Sequence, residues 1–286
     1  MKKKVTFAAV CACVFAALCF VLVGCGGSNA SSTSSDASSA STSGSTASAS
    51  SEPTFVTSGK IISVSDMECP PFSSYKEGTS EPEGFEVDLM KAVAEKMGLE
   101  SEWLPKMDFD AIIPLVKQGG KADVGVANFT INDERKKEID FTDPYYVANI
   151  AFVTKGDTQA KSSEDFNKKG IRIGAQSGTT GEAWAKENLP EAEIVSMIPA
   201  TAMLSVQSSE EGNDAIDAMV CDLPVANGLI AKSYSDLTVL EEIATGDEFG
   251  IVVSKENPEL TKALNKALEE LKADGTIDEI MNKWLA

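Results

Sequence analysis

The chain has 286 residues, six cysteines, no histidine and a formal charge of −19 from 25 basic and 44 acidic side chains. So acidic a molecule repels nucleic acid and anionic lipid headgroups. The lack of histidine excludes Ser-His-Asp and Cys-His catalysis and removes the commonest transition-metal ligand, and no residue pattern asks for a cofactor or a metal.

Met1 is followed by three lysines and an apolar run from Val5 to Val23, the pattern of a secretory signal. A run of about 19 residues could alternatively span a bilayer. The residues after it favour the signal: Leu22-Val23-Gly24-Cys25 resembles a bacterial lipoprotein cleavage site. That resemblance implies that residues 1–24 leave as a signal peptide and that Cys25 becomes the lipidated first residue. Several acyl chains on one residue hold a protein stably on a membrane. Three lysines leave with the signal, so the formal charge falls from −19 to −22 and membrane attachment must come from lipid. Residues 25–54 are rich in serine, alanine and threonine and cannot bury enough apolar surface to fold. They are expected to form a flexible tether of roughly 30 Å r.m.s. reach.

The folded part is expected to begin near Phe55 and to hold two lobes with cores of their own. KIISVS (60–65) reads as a strand ending at Asp66. GFEVDLMKAVAEKMG (84–98) places Val87, Met90, Ala94 and Met97 at helical spacing and closes on Gly98. SEWLP (101–105) is a strand, Asp108 caps the helix FDAIIPLVKQGG, and ADVGVA (122–127) is a buried strand. DFTDPYYVANIAFVTKGD (140–157) suits an extended strand. A second series follows: GIRIGAQ (170–176), a helix within SGTTGEAWAKENL, then strands EIVSMI (193–198), DAMV (217–220) and EFGIVVS (248–254). EFGIVVS is the natural return partner of the long strand, and two strands joining two α/β lobes make a hinge. The chain closes on two helices, with Leu260, Leu264, Leu268 and Leu271 on one face of the first. Strands alternating with helices argue for largely parallel sheets. Trp103, Trp184 and Trp284 sit on apolar faces and read as core.

Only Arg135 and Arg172 are arginines, against 23 lysines. A guanidinium makes two parallel hydrogen bonds to a carboxylate, which an ammonium cannot. Arg135 therefore reads either as a carboxylate-gripping residue or as a surface ion pair with Asp133, Glu134 or Glu138.

From Lys60 to Trp284 the chain resembles family 3 of the bacterial extracellular solute-binding proteins, the polar-amino-acid receptors of ABC importers. SDMECPPF, GFEVDLMKAVAEKMG, the stretch from Asp108 to Tyr146, GAQSGTTGE, DAMVCDLPVA and ALNKALEELKADGTIDEIMNKW carry the resemblance in the family's order. It implies a two-lobed, type II periplasmic-binding-protein-like α/β fold. One lobe would be 55–146 with 250–286 and the other 147–249, joined by two crossing strands around an enclosed ligand. It implies that Arg135 grips the ligand α-carboxylate with help from the Thr130 hydroxyl. Thr180 would assist from a helix N-terminus, where free amides favour an anion. Asn128, through its backbone carbonyl, and Asp222, through its carboxylate, would receive the α-ammonium. Phe109 matches an aromatic that stacks on the ligand side chain, with core packing as the alternative. Asp66 would face the distal end of the ligand, with a turn cap as the alternative, and Glu68 reads as a second acid there or as an exposed loop residue. Cys69 stands where many relatives have an aromatic. Alternation along a strand would turn Cys221 into its own core if Asp222 faces the cleft, which argues against a Cys69–Cys221 disulfide.

The resemblance therefore implies a monomeric, lipid-anchored receptor outside the cytoplasm that hands an amino acid to an ABC permease and is not an enzyme. Two other functions fit the same fold: a cyclohexadienyl or arogenate dehydratase, needing a carboxylic acid held neutral, and a sensor without transport.

Overall fold

In the computed structural model residues 52–209 and 215–285 are described; the signal segment, Cys25 and the tether up to residue 51 lie outside them. In chain order the elements are β1 (Lys60–Val64), β2 (Glu68–Cys69), β3 (Ser73–Tyr75), β4 (Pro82–Glu83), α1 (Phe85–Lys96), β5 (Glu100–Trp103), α2 (Phe109–Gln118), β6 (Val124–Gly125), α3 (Asp133–Glu138) and β7 (Asp140–Phe141). Then come β8 (Tyr146–Lys155), a 3-10 turn at Ser163–Phe166, β9 (Arg172–Ala175), α4 (Thr180–Asn188), β10 (Glu193–Ser196), α5 (Pro199–Gln207), β11 (Ala218–Asp222) and α6 (Leu223–Ser233). The last are β12 (Leu237–Phe249), β13 (Val252–Val253), α7 (Pro258–Ala273) and α8 (Thr276–Trp284).

Two five-stranded sheets carry the architecture, in the orders β5-β1-β6-β13-β7 and β10-β9-β11-β8-β12, beside a small β2-β3-β4 sheet. The expected parallel character holds only at one side of each. β5, β1 and β6 run parallel, as do β10, β9 and β11. β13 is antiparallel to β6 and β7, and β8 is antiparallel to β11 and β12. The reason is connectivity. β8 and β12 are the strands on which the chain passes between the sheets and returns, so they must run in opposite directions.

That return divides the expected strand at 248–254. Phe249 ends β12 opposite Tyr146, and Val252–Val253 already belongs to the other sheet. Gly250 sits at the break, its N–H bonded to the Phe129 carbonyl at 3.0 Å. A Cβ there would lie 2.8 Å from Ile131 Cδ1 and 3.2 Å from Phe141 Cδ1, so the crossing admits only glycine without displacement.

Among the described residues three apolar clusters fill the interior. The largest joins Phe72, Phe85 and Leu89 with Val153, Met203 and Val225, linking residues around both large sheets. Trp103 and Trp284 pack against it and Trp184 against the cluster around Ile150 and Phe152, all three only partly buried. Among the described residues no helix is long and apolar enough to cross a membrane.

Candidate functional site

The C-terminal ends of the parallel strands in both sheets open onto one cleft, the usual place for a ligand on an open α/β sheet. Asp66 follows β1, Phe109 opens α2 after β5, Asn128 and Thr130 follow β6, Gln176 follows β9, and Asp222 ends β11. Six of the seven predicted binding residues (Phe109, Asn128, Thr130, Arg135, Thr180 and Asp222) line this cleft. Asp66 stands in the adjoining chamber, which shares Phe109 and Gln176 with it.

Arg135 makes none of the surface ion pairs open to it. Asn132 caps its short helix by accepting the Arg135 N–H at 2.9 Å. The half-buried guanidinium then reaches across the cleft. Nη1 donates to the Thr130 carbonyl at 2.9 Å and Nη2 to the Gly178 carbonyl at 3.0 Å. Its Cζ lies 5.5 Å from the ring centres of both Phe109 and Phe129, within cation–π range. Burial pulls its pKa down, opposed by the charges of Asp222, Asp247 and Glu134. The Phe109 ring stacks on Phe129 with centres 4.6 Å apart and also lines the cleft.

Thr130 and Thr180 meet from opposite sides, their hydroxyl oxygens 3.4 Å apart. Thr179 is the N-cap of α4 and accepts the Glu182 N–H at 3.1 Å, which leaves Thr180 as the first helical residue. Asp247, on β12, accepts from Thr180 at 3.0 Å and from Thr130 at 3.5 Å.

At the other end of the cleft Asn128 Nδ2 donates to Asp222 at 3.3 Å. Burial pushes the Asp222 carboxyl up to about 7, aided by Asp247 and Glu86 and opposed by Asn128 and Arg135. Asp66 is 2 % exposed, and burial raises it to about 6 although Gln176 Nε2 donates to it at 2.7 Å. Its turn-cap contact to the Glu68 N–H is long, at 3.4 Å. Glu68 pairs with Lys106, so its charge is matched within the protein. Met67 and Asn128, the non-glycine residues described with positive φ (54° and 51°), each stand at this cleft's acids.

Cys69 and Cys221 are unpaired. Cys221 packs in part against the large apolar cluster, as alternation predicts, and also borders the cleft beside Asp222.

Gln176, Asp247 and Glu86 escaped the sequence reading. The first two are ordinary polar residues whose partners lie 110 and 67 positions away. Glu86 reads as a favourable acid in the first turn of a helix, yet its side chain is fully buried.

The model of a family described as "Bacterial extracellular solute-binding proteins, family 3" matches residues 61–286. The arginine-binding extracellular protein ArtP of Bacillus subtilis (strain 168) is 32% identical over 273 residues, 95% of each chain. An ancestral arginine-binding protein bound to arginine is 37% identical, with a TM-score of 0.72 over 80% of this chain and 99% of its own. An ancestral amino acid-binding protein described as a precursor of cyclohexadienyl dehydratase is 36% identical, with the same TM-score, over 80% and 96%.

Proposed function

Since the chain belongs to family 3 of the bacterial extracellular solute-binding proteins, an amino-acid-binding family with the two-lobed type II fold, we propose that it is a lipid-anchored receptor that closes on one polar amino acid and hands it to an ABC permease. The observation that carries this reading is the polarity of the cleft. A guanidinium that forms no ion pair among the described residues stands at one end, and a carboxyl raised to about 7 stands at the other. A zwitterionic α-amino acid neutralises both at once. Arg135, Thr130 and Thr180 take its carboxylate, Asp222 and Asn128 its ammonium, and Phe109 flanks its side chain.

Asp66 and Gln176 then face the distal end, and that pair suits a cationic or amide terminus. The arginine-binding names of two relatives support the cationic choice. Residues 55–146 with 250–286 form one lobe and 147–249 the other, so a ligand held by Arg135 and Asp222 joins both and stabilises closure. Cys25 carries the lipid, and the protein acts as a monomer outside the cytoplasm.

Thermal-shift screening against the common amino acids tests the reading. A rise in melting temperature is expected with L-arginine, L-lysine or L-glutamine, since ligand at 100 times Kd adds about 2.7 kcal/mol. No shift with any amino acid overturns it. A Cys25→Ser change should abolish incorporation of a labelled fatty acid into the protein, and labelling that persists refutes the anchor.

A second reading has one observation behind it. Asp66, a carboxyl raised to about 6 beside the cleft, resembles the neutral acid a dehydratase needs, and one neighbour is described as a precursor of such an enzyme. Incubation with prephenate or arogenate decides: aromatic product establishes it, and none is expected.

A further inference from the structure

Glu86 occupies a position where an apolar residue would be the ordinary choice. Its neighbours on α1, Phe85, Leu89 and Met90, are all fully buried, and so is Glu86 itself. The chain is forced inward here. The Gly84 backbone (φ 130°) passes so close to Phe72 that a Cβ would lie 2.1 Å from its carbonyl oxygen, and the Glu86 N–H donates to that same oxygen at 2.9 Å. The carboxylate therefore lies beneath the cleft floor. Its Oε1 accepts the backbone N–H of Asn128 at 2.7 Å and the Tyr145 hydroxyl, with the Ser73 hydroxyl beside the carboxylate. Burying a carboxylate costs free energy even when it is hydrogen-bonded, and what Glu86 does there is read from the groups it holds.

Asn128 is where that task lies. It is 5 % exposed, holds a left-handed φ of 51°, and leaves its Oδ1 without a partner. Its Nδ2 meets Asp222 from the facing sheet. A helix, a strained turn and an acid across the cleft are thus linked in series.

We propose that Glu86 is a positioning residue for the ammonium end of the cleft: by accepting the Asn128 N–H it holds the left-handed turn that aims the Asn128 carboxamide at Asp222. The identity of that end rests on the proposed amino-acid binding; the link from Glu86 to Asn128 does not.

Two measurements on the full chain test it, with Glu86→Ala and Glu86→Gln. The first is amide exchange at Asn128, compared with sheet amides such as Val253. Glu86→Ala should speed exchange at Asn128 by about tenfold or more and leave Val253 unchanged, because one acceptor is lost. Glu86→Gln keeps a carbonyl acceptor and should restore slow exchange. Should Glu86→Ala not fold, Glu86→Asp, one methylene short of Asn128, takes its place. The second measurement is calorimetry with two probe pairs, L-arginine with 5-guanidinopentanoate and L-glutamine with glutaramate, the second of each pair lacking the α-amino group. Glu86→Ala should weaken the amino acid by about tenfold or more and its des-amino partner by less than about twofold. Unchanged Asn128 exchange overturns the link, and equal losses for both members of a pair overturn the positioning role. Wild-type protein that binds neither amino acid overturns the ligand assignment, and exchange then still decides the link.

Discussion

A guanidinium that donates to two backbone carbonyls brought together from distant parts of the chain, Thr130 and Gly178, is fixed in direction before any ligand arrives. It keeps further N–H donors in one plane, and that geometry cannot be reproduced by an ammonium. Arg135→Lys should therefore weaken amino-acid binding by about 1.5–3 kcal/mol, or roughly ten- to a hundredfold by calorimetry; unchanged affinity would remove Arg135 from the site. Asp66 stands in the adjoining chamber with Gln176 as its partner, where the proposed function puts the distal end of the ligand. Asp66→Asn keeps the shape and removes the charge, so it should reorder affinities between L-arginine and L-glutamine more than it lowers both. A uniform loss would count against it. The sequence made Arg135 legible because arginine is rare in this lysine-rich chain. It could not reveal Gln176 or Asp247, whose roles arise only when residues far apart in sequence meet.

The elements show where periodicity speaks and where it is silent. α1, α2, α7 and the buried parallel strands carry apolar spacing that identifies them directly. Much of β12 does not. It is a partly exposed edge strand holding Glu241, Glu242 and Asp247, and its register against β8 shifts twice, between Val239 and Glu241 and between Ile243 and Asp247. Each shift breaks the two-residue alternation on which strand recognition depends. The β2-β3-β4 sheet is equally silent, its strands being two or three residues long. The join between that sheet and α1 depends on Gly84, whose φ of 130° and contact with the Phe72 carbonyl leave no room for a side chain. The obstacle is backbone, so it cannot swing aside. Gly84→Ala should lower stability by at least about 3 kcal/mol in urea titrations, strain and clash together; a loss below 1 kcal/mol would mean that the turn is soft.

The whole molecule gathers three acids with raised pKa around one cleft: Asp66 at about 6, Glu86 at about 7 and Asp222 at about 7, each driven up first by burial. They also face one another. Glu86 meets Tyr145, Asn128, Ser73 and the charge of Asp66; Asp222 meets Asn128, Asp247, Arg135 and Glu86; Asp66 meets Gln176 and Glu68; and the Cys69 thiol is pushed up by burial and then by all three acids. The sign follows from linkage. A carboxyl that binds its proton more tightly folded than unfolded contributes stability at low pH that is lost as pH rises through its folded pKa. The melting temperature of the ligand-free protein should thus fall between about pH 5 and pH 8, and Asp222→Asn should flatten the slope. An α-ammonium at Asp222 reverses the preference of that one group, favouring its ionised form. Binding near pH 7 should then expel part of a proton, and affinity should fall as pH drops from about 8 to 6. Calorimetry with L-arginine in phosphate and in Tris, buffers of unlike ionisation enthalpy, measures the proton directly. Release is expected. Uptake would mean that the ammonium does not sit at Asp222, because an added positive charge beside that carboxyl can only lower its pKa.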